Sequence, residues 1–233
     1  MAATELTPEG WSGATSGVWT KRANVVIDTR QGISVASGDD LVNARGGDDV
    51  ITGEQKDGVG VFISNDPRAA NLQMGGGNDT LTGISKSDIG ILNRGFIFMG
   101  GGDDTIIGSG GKLGIRNRGF IFTQGGNDVV DVSRGGIRGR GFVDLGGGGD
   151  TFIGFGNHEV YGDAGKDTLL LPKGSYELSK RNSRRYRVER GDDRLEIIDF
   201  EVIGGINSKK SERLEIDKGG TLVVRNNGSI TLT

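Results

Sequence analysis

Apolar residues come in short clusters along the chain, and most clusters are bounded by glycine. Val50-Ile51, Thr80-Leu81, Thr105-Ile106-Ile107, Val129-Val130, Phe152-Ile153 and Leu169-Leu170-Leu171 each follow a glycine-bearing turn that ends in aspartate. No long stretch holds apolar positions at a 3.6-residue period without a glycine interrupting it, so the pattern predicts short strands and an all-β chain.

The clusters belong to a repeat. Gly46-Gly47-Asp48-Asp49-Val50-Ile51 is followed by Gly75-Gly76-Gly77-Asn78-Asp79-Thr80-Leu81, by Gly100-Gly101-Gly102-Asp103-Asp104-Thr105-Ile106 and by Gly125-Gly126-Asn127-Asp128-Val129-Val130. Then come Gly146-Gly147-Gly148-Gly149-Asp150-Thr151-Phe152 and Gly162-Asp163-Ala164-Gly165-Lys166-Asp167-Thr168-Leu169, while Ser37-Gly38-Asp39-Asp40-Leu41-Val42 is a weaker forerunner. The final aspartates, from Asp49 to Asp167, are separated by 30, 25, 24, 22 and 17 residues. A second motif keeps the middle steps: Gly90-Ile91-Leu92-Asn93-Arg94-Gly95-Phe96-Ile97-Phe98 returns at residues 114–122 and, with changes, at 136–144. Each unit therefore reads as a turn, a strand such as residues 79–82, a bend, a strand through Ile91, a glycine bend and a strand through Phe96. Three strands per coil predict a right-handed parallel β-solenoid (β-roll or β-helix).

Stacking such coils at the ~4.8 Å strand spacing puts Ile91, Ile115 and Ile137 in one column and Phe96, Phe120 and Phe142 in another, and these columns are the expected core. The same stacking puts Asp79, Asp104, Asp128 and Asp150 in one file. Like charges ~5 Å apart repel by roughly 1 kcal/mol in water and by several times that near a protein surface, so the file calls for a neutralising partner. Calcium suits it: a hard cation taking oxygen ligands, which carboxylates and the exposed carbonyls of a glycine turn supply. Alternatively the aspartates cap backbone amides, as they often do in turns.

Composition narrows the choice. Of 233 residues 45 are glycine and only 3 are proline, too little proline for collagen, while the recurring Ile, Val, Leu and Phe exclude a disordered tract. The chain has no cysteine and one histidine, which removes disulfides, thiolate metal sites and a zinc site built on several imidazoles. A net charge of −3 gives no overall pull toward nucleic acid. No apolar run approaches a membrane span, and the first ten residues carry Glu5 and Glu9 instead of a basic then apolar leader, so the expectation is a soluble chain without a cleavable signal at this end.

The repeat resembles the hemolysin-type calcium-binding repeats of the RTX family, whose pattern is Gly-Gly-x-Gly-x-Asp-x-apolar-x. The resemblance covers about residues 37–170 and is closest at residues 162–169. It implies calcium between the turns of neighbouring coils, with Asp49, Asp79, Asp104, Asp128, Asp150 and Asp167 at the ligand carboxylate position. Gly75, Gly77, Gly100, Gly102, Gly126, Gly146, Gly148, Gly162 and Gly165 then lie in the metal-binding turns. The chain departs from the family in having longer central units with one turn each, which implies one file of sites where the family has two. Met74, Met99 and Leu145 replace first-position glycines, and Gln124 replaces a second.

Residues 1–36 lack the repeat, hold the strand-like run at 24–28 and are expected to form an N-terminal cap; 37–171 form the solenoid. From 172 to 233 the glycine turns stop, and runs at 176–178, 186–188, 195–198, 214–216 and 221–224 read as strands of a C-terminal β cap. A strand-rich tail with a small, hydroxyl-bearing end again resembles RTX proteins, implying extracellular location by type I secretion with an uncleaved C-terminal signal.

Arg190-Gly191-Asp192 matches an integrin-type tripeptide but falls where a hairpin needs a glycine. The basic run Lys180, Arg181, Arg184, Arg185 and Arg187 reads as a solvated face. The file Arg94, Arg118 and Arg140 must splay, pair or hold an anion such as an acidic sugar. His158 reads as a loop residue, and no catalytic set is evident. The function expected is a calcium-binding extracellular structural or adhesive module, whose partners are calcium ions and an anionic polysaccharide or cell-surface component. A β-helix that binds or modifies polysaccharide, of the lyase or epimerase type, is the alternative, because such chemistry can rest on Asp, Arg, Tyr or Lys.

Overall fold

The computed structural model describes residues 46–64 and 71–233, together with Ala44 and the strands Thr4–Leu6, Asn24–Asp28, Ile33–Val35 and Leu41–Asn43. Among these residues there is no α-helix, and parallel strands stack coil upon coil into sheets, a solenoid-like architecture. A first sheet runs through Asn24–Asp28, Val50–Gln55, Thr80–Ser85, Thr105–Gly110, Val129–Asp131, Thr151–Ile153, Thr168–Leu171 and Val202–Gly205. A second runs through Ile33–Val35, Val61–Ile63, Ile89–Asn93, Leu113–Asn117 and Ile137–Arg138. Leu41–Asn43, Asn71–Gly76, Phe96–Gly101, Phe120–Gly125, Phe142–Asp144 and Gly156–Tyr161 make the third. The expected three strands per central coil are thus present.

Alternation along each strand decides what faces inward. In the first sheet Ile51, Leu81, Ile106, Val130, Phe152, Leu169 and Ile203 are buried and lie in register, one per coil. Val61, Ile91, Ile115 and Ile137 form the column of the second sheet. In the third sheet, however, the column is Leu72, Ile97, Ile121, Val143 and Val160. Phe96, Phe120 and Phe142 do pair in register, but they point outward, and Phe96 is 39% exposed. The expectation of a phenylalanine core column is corrected: with a side-chain period of two, burying Ile97 turns Phe96 and Phe98 to the other face.

Where the first sheet meets the second, the backbones touch. A Cβ on Gly83 would overlap the carbonyl of Gly90, so only glycine fits the approach.

After Leu171 the topology changes. Gly174–Lys180, Arg185–Arg190, Asp193–Ile198, Gly220–Val224 and Ile230–Leu232 pair antiparallel, while Asp193–Ile198 also pairs parallel with Gly156–Tyr161 and Val202–Gly205 extends the first sheet. Arg190 and Asp193 face each other across a two-residue hairpin turn, Gly191-Asp192, with Gly191 at φ 60°. The Arg190 guanidinium lies over the rings of Tyr176 and Phe155 at 5.0 and 5.1 Å. That accounts for the tripeptide as hairpin and packing.

Candidate functional site

The repeated turn joins the third sheet to the first and has six positions. The first is Ala44, Met74, Met99, Thr123, Leu145 or Gly162, and the sixth is Asp49, Asp79, Asp104, Asp128, Asp150 or Asp167. Gly75, Gly100 and Gly146 take the second position and Gly77, Gly102, Gly126, Gly148 and Gly165 the fourth, all at positive φ. A Cβ on Gly102 would overlap the carbonyl oxygen of Gly77 in the coil before, so this position needs glycine for contact as well as for φ. Gln124 takes the second position at φ 75°, a left-handed conformation that strains a side chain with a Cβ.

All six aspartates are buried, with exposures of 0–1%. Their Oδ1 atoms form a ladder between coils. Asp49 N–H donates to Asp79 Oδ1 at 2.8 Å, Asp79 N–H to Asp104 Oδ1 at 2.8 Å, Asp104 N–H to Asp128 Oδ1 at 2.7 Å, Asp128 N–H to Asp150 Oδ1 at 2.7 Å and Asp150 N–H to Asp167 Oδ1 at 2.9 Å. The last rung was invisible in the repeat: Asp167 N–H donates to Glu201 Oε2 at 2.8 Å. Glu201 precedes Val202, which pairs with Thr168, so it holds the aspartate's place without a glycine turn before it. An acid immediately before an apolar strand was its sole sequence signal.

A second file lies on the outside of the same turn and runs the other way. Asn78 N–H donates to Asp48 Oδ1, Asp103 N–H to Asn78 Oδ1, Asn127 N–H to Asp103 Oδ1 and Gly149 N–H to Asn127 Oδ1, at 2.6–3.0 Å. From the turn ending at Asp49 to the one ending at Asp150, the coils are thus stitched together in both directions by side chains accepting from amides, as the capping alternative requires.

From Asp79 to Asp167 the capping uses only one oxygen of each inner carboxylate. Oδ2 of Asp79, Asp104, Asp128, Asp150 and Asp167 is buried without a hydrogen-bond partner. Burial pushes the carboxyls of Asp79 and Asp167 up to about 6 and those of Asp104 and Asp150 up to about 7, against the lowering by the amide each accepts. Neighbouring carboxylates add to the rise, and Asp128 is raised by the same burial.

The residues at the first turn position decide how well a cation fits there. Met74, Met99, Thr123 and Leu145 are fully buried within their turns, and no three acidic or histidine side chains among the described residues converge as a metal cluster. At residues 162–167 glycine takes the first position, and two oxygens close on it: a Cβ on Gly162 would overlap the Asp199 carbonyl oxygen and lie 2.5 Å from Asp167 Oδ2. Asp163, Asp199 and Glu201 all press on Asp167 electrostatically, so this end of the file concentrates negative charge.

At the junction of the second and third sheets a buried amide ladder replaces the carboxylates. Asn93 Nδ2 donates to Asn117 Oδ1 at 2.8 Å, and Asn117 Nδ2 donates to Phe142 O at 2.8 Å and faces His158 Nε2 at 3.1 Å. His158 sits in the strand Gly156–Tyr161, which corrects the expectation of a loop residue. Burial lowers its pKa to about 4, opposed by the Gly139 backbone, so the ring is neutral with Nε2 as acceptor. It is a buried part of the stack, and so is not exposed as a base.

Four of the five residues of the basic run, all but Arg181, are paired locally. Arg184 pairs with Asp199, Arg185 with Glu159 at 2.8 Å and Arg187 with Glu196 at 2.6 Å, while Lys180 Nζ donates to Asp217 O at 2.9 Å. No helix among the described residues is long and apolar enough to cross a membrane. Compared with protein-family models, curated proteins and solved structures, the chain matches none.

Proposed function

We propose that the protein is a calcium-binding structural module: a right-handed parallel solenoid, ended by a C-terminal β cap, in which calcium neutralises the inner aspartate file. One observation carries the reading, the row of buried, partnerless Oδ2 atoms on Asp79, Asp104, Asp128, Asp150 and Asp167. A buried carboxylate with an open lone pair is costly unless a cation or proton meets it, and calcium prefers such oxygens. The turn of residues 162–167 is the best fit, since the Asp199 carbonyl oxygen and Asp167 Oδ2 both lie against Gly162, whereas the other turns carry buried Met74, Met99, Thr123 or Leu145 at the matching position. Calcium would supply a double positive charge, and Oδ2 of these aspartates would hold it. Right-handed winding follows the general preference of parallel crossover connections. Extracellular placement and type I export go with this reading, because calcium is abundant outside the cell.

A second reading takes the neutralising partner to be a proton. It is favoured by the amide bonds to Oδ1, which need no metal, and by carboxyls raised to about 6 and 7. Calorimetric calcium titration at pH 8, with melting curves in calcium and in chelator, separates the two. Calcium binding with a raised melting temperature is expected, and Asp167→Asn should lose more of it than Asp104→Asn. An equal melting temperature in chelator with no bound ion would refute the calcium reading and leave the proton.

A further inference from the structure

Three successive coils carry the same outward surface. On the third sheet Phe96 and Phe98, Phe120 and Phe122, and then Phe142 point away from the core, with Tyr161 following. Their ring centroids lie 4.7–5.8 Å apart from Phe96 to Phe98, Phe98 to Phe122, Phe96 to Phe120 and Phe120 to Phe142, a continuous strip. The outward face of a sheet is normally polar, so a contiguous aromatic strip there signals a contact surface.

Two residues before Phe96, Phe120 and Phe142, at the bend from the second sheet to the third, stands an arginine in each coil. Arg94 and Arg118 follow the buried asparagines of the ladder, Arg140 follows Gly139 in the next coil, and each is exposed. None of the three forms an ion pair among the described residues; Arg94 lies over the Phe62 ring at 5.6 Å. Arg138 is different, being paired with Asp193 at 2.7 Å. The row is bounded at its end by Asp144, which follows Phe98 and Phe122 in register.

We infer that the strip of Phe96, Phe98, Phe120, Phe122 and Phe142 with the file of Arg94, Arg118 and Arg140 is a docking surface for a linear polyuronate, an anionic polysaccharide lying along the solenoid axis. Cations repeat once per coil at the ~4.8 Å strand spacing, so a polyanion lying along the axis can meet more than one guanidinium at once. Guanidinium forks match carboxylates, and the apolar faces of pyranose rings pack on aromatic side chains. A file of three arginines is short beside the run of phosphate contacts that nucleic-acid binders make. The chain's net charge of −3 also lacks the broad positive field of nucleic-acid binders. The inference is independent of how the aspartate file is neutralised.

The probe is a galacturonate oligomer too short to gel, titrated calorimetrically in calcium-containing buffer, with a neutral xylan oligomer and oligo(dT) as comparisons. The galacturonate oligomer is expected to bind, more weakly as salt rises, and the xylan to bind poorly. Replacing Arg94, Arg118 and Arg140 together by Gln should weaken binding by about ten-fold or more, each exposed pair contributing up to roughly five-fold. Phe96→Gln should also weaken it, with circular dichroism and melting unchanged in both variants. No binding by the wild type, equal binding by the triple variant, equal binding of xylan, or preference for oligo(dT) would each overturn the inference.

Discussion

From Asp79 to Asp167, each inner aspartate divides its two oxygens between two environments. Oδ1 satisfies the amide of the neighbouring coil, and Oδ2 is left in a space that excludes water. The consequence for pH has an unusual sign. Asp79, Asp104, Asp150 and Asp167 have folded pKa values of about 6 to 7, above the 3.8 of an unperturbed aspartate, because burial penalises the charge. Between pH 3.8 and 7 the folded state therefore binds more protons than the unfolded chain, and stability falls as pH rises. In chelator the melting temperature is expected to be higher at pH 5 than at pH 8, the reverse of ordinary acid denaturation. A melting temperature that climbs from pH 5 to 8 would show that these carboxyls are not held up by burial. The steps should overlap, since adjacent carboxyls titrate as a coupled file.

At the scale of the element, the turn is a template whose tolerance differs by position. The fourth position tolerates only glycine in the central coils, because the neighbouring carbonyl occupies the space of a Cβ. The second position asks for positive φ, and Gln124 meets it at φ 75° under strain. Gln124→Gly is expected to stabilise the protein by about 1 kcal/mol, since a left-handed conformation costs an ordinary residue roughly 1–2 kcal/mol and glycine's larger unfolded entropy returns part of that. Urea denaturation of the two proteins checks it, and a destabilised variant would mean that the Gln124 side chain contributes contacts that outweigh the strain.

Across the whole molecule, each coil relies on its neighbours for a partner surface, as in any stacked repeat. The final parallel strands of the first and third sheets are covered by chain from beyond residue 171: Val202–Gly205 pairs with Thr168–Leu171, and Asp193–Ile198 pairs with Gly156–Tyr161. Deleting residues 172–233 would expose both edges and remove Glu201 from the Asp167 amide. The truncated chain is expected to aggregate or form edge-paired oligomers on size-exclusion chromatography, whereas a well-behaved monomer would show that the stack ends stably by itself.

The strands and the coil they build were legible because glycine, aspartate and apolar pairs recur together, and the recurrence fixed which residues stack. The aspartate file and its equivalent glycines follow from that spacing alone, and the strands after residue 172 from their apolar and β-branched runs. The sequence did not determine which face of a strand turns inward. Phe96-Ile97-Phe98 is apolar throughout, and only closure of the three sheets, with Ile97, Ile121 and Val143 meeting the core, sends the phenylalanines outside. Nor did it reveal the two opposed hydrogen-bond ladders, because the same aspartate spacing serves a cation or an amide, and only the tilt of each carboxylate between coils distinguishes Oδ1 from Oδ2. Glu201 and His158 entered the stack through register, since pairing across coils brings together residues that share no local pattern. Periodicity along the chain determines what is equivalent, whereas contact between coils decides what each equivalent residue touches.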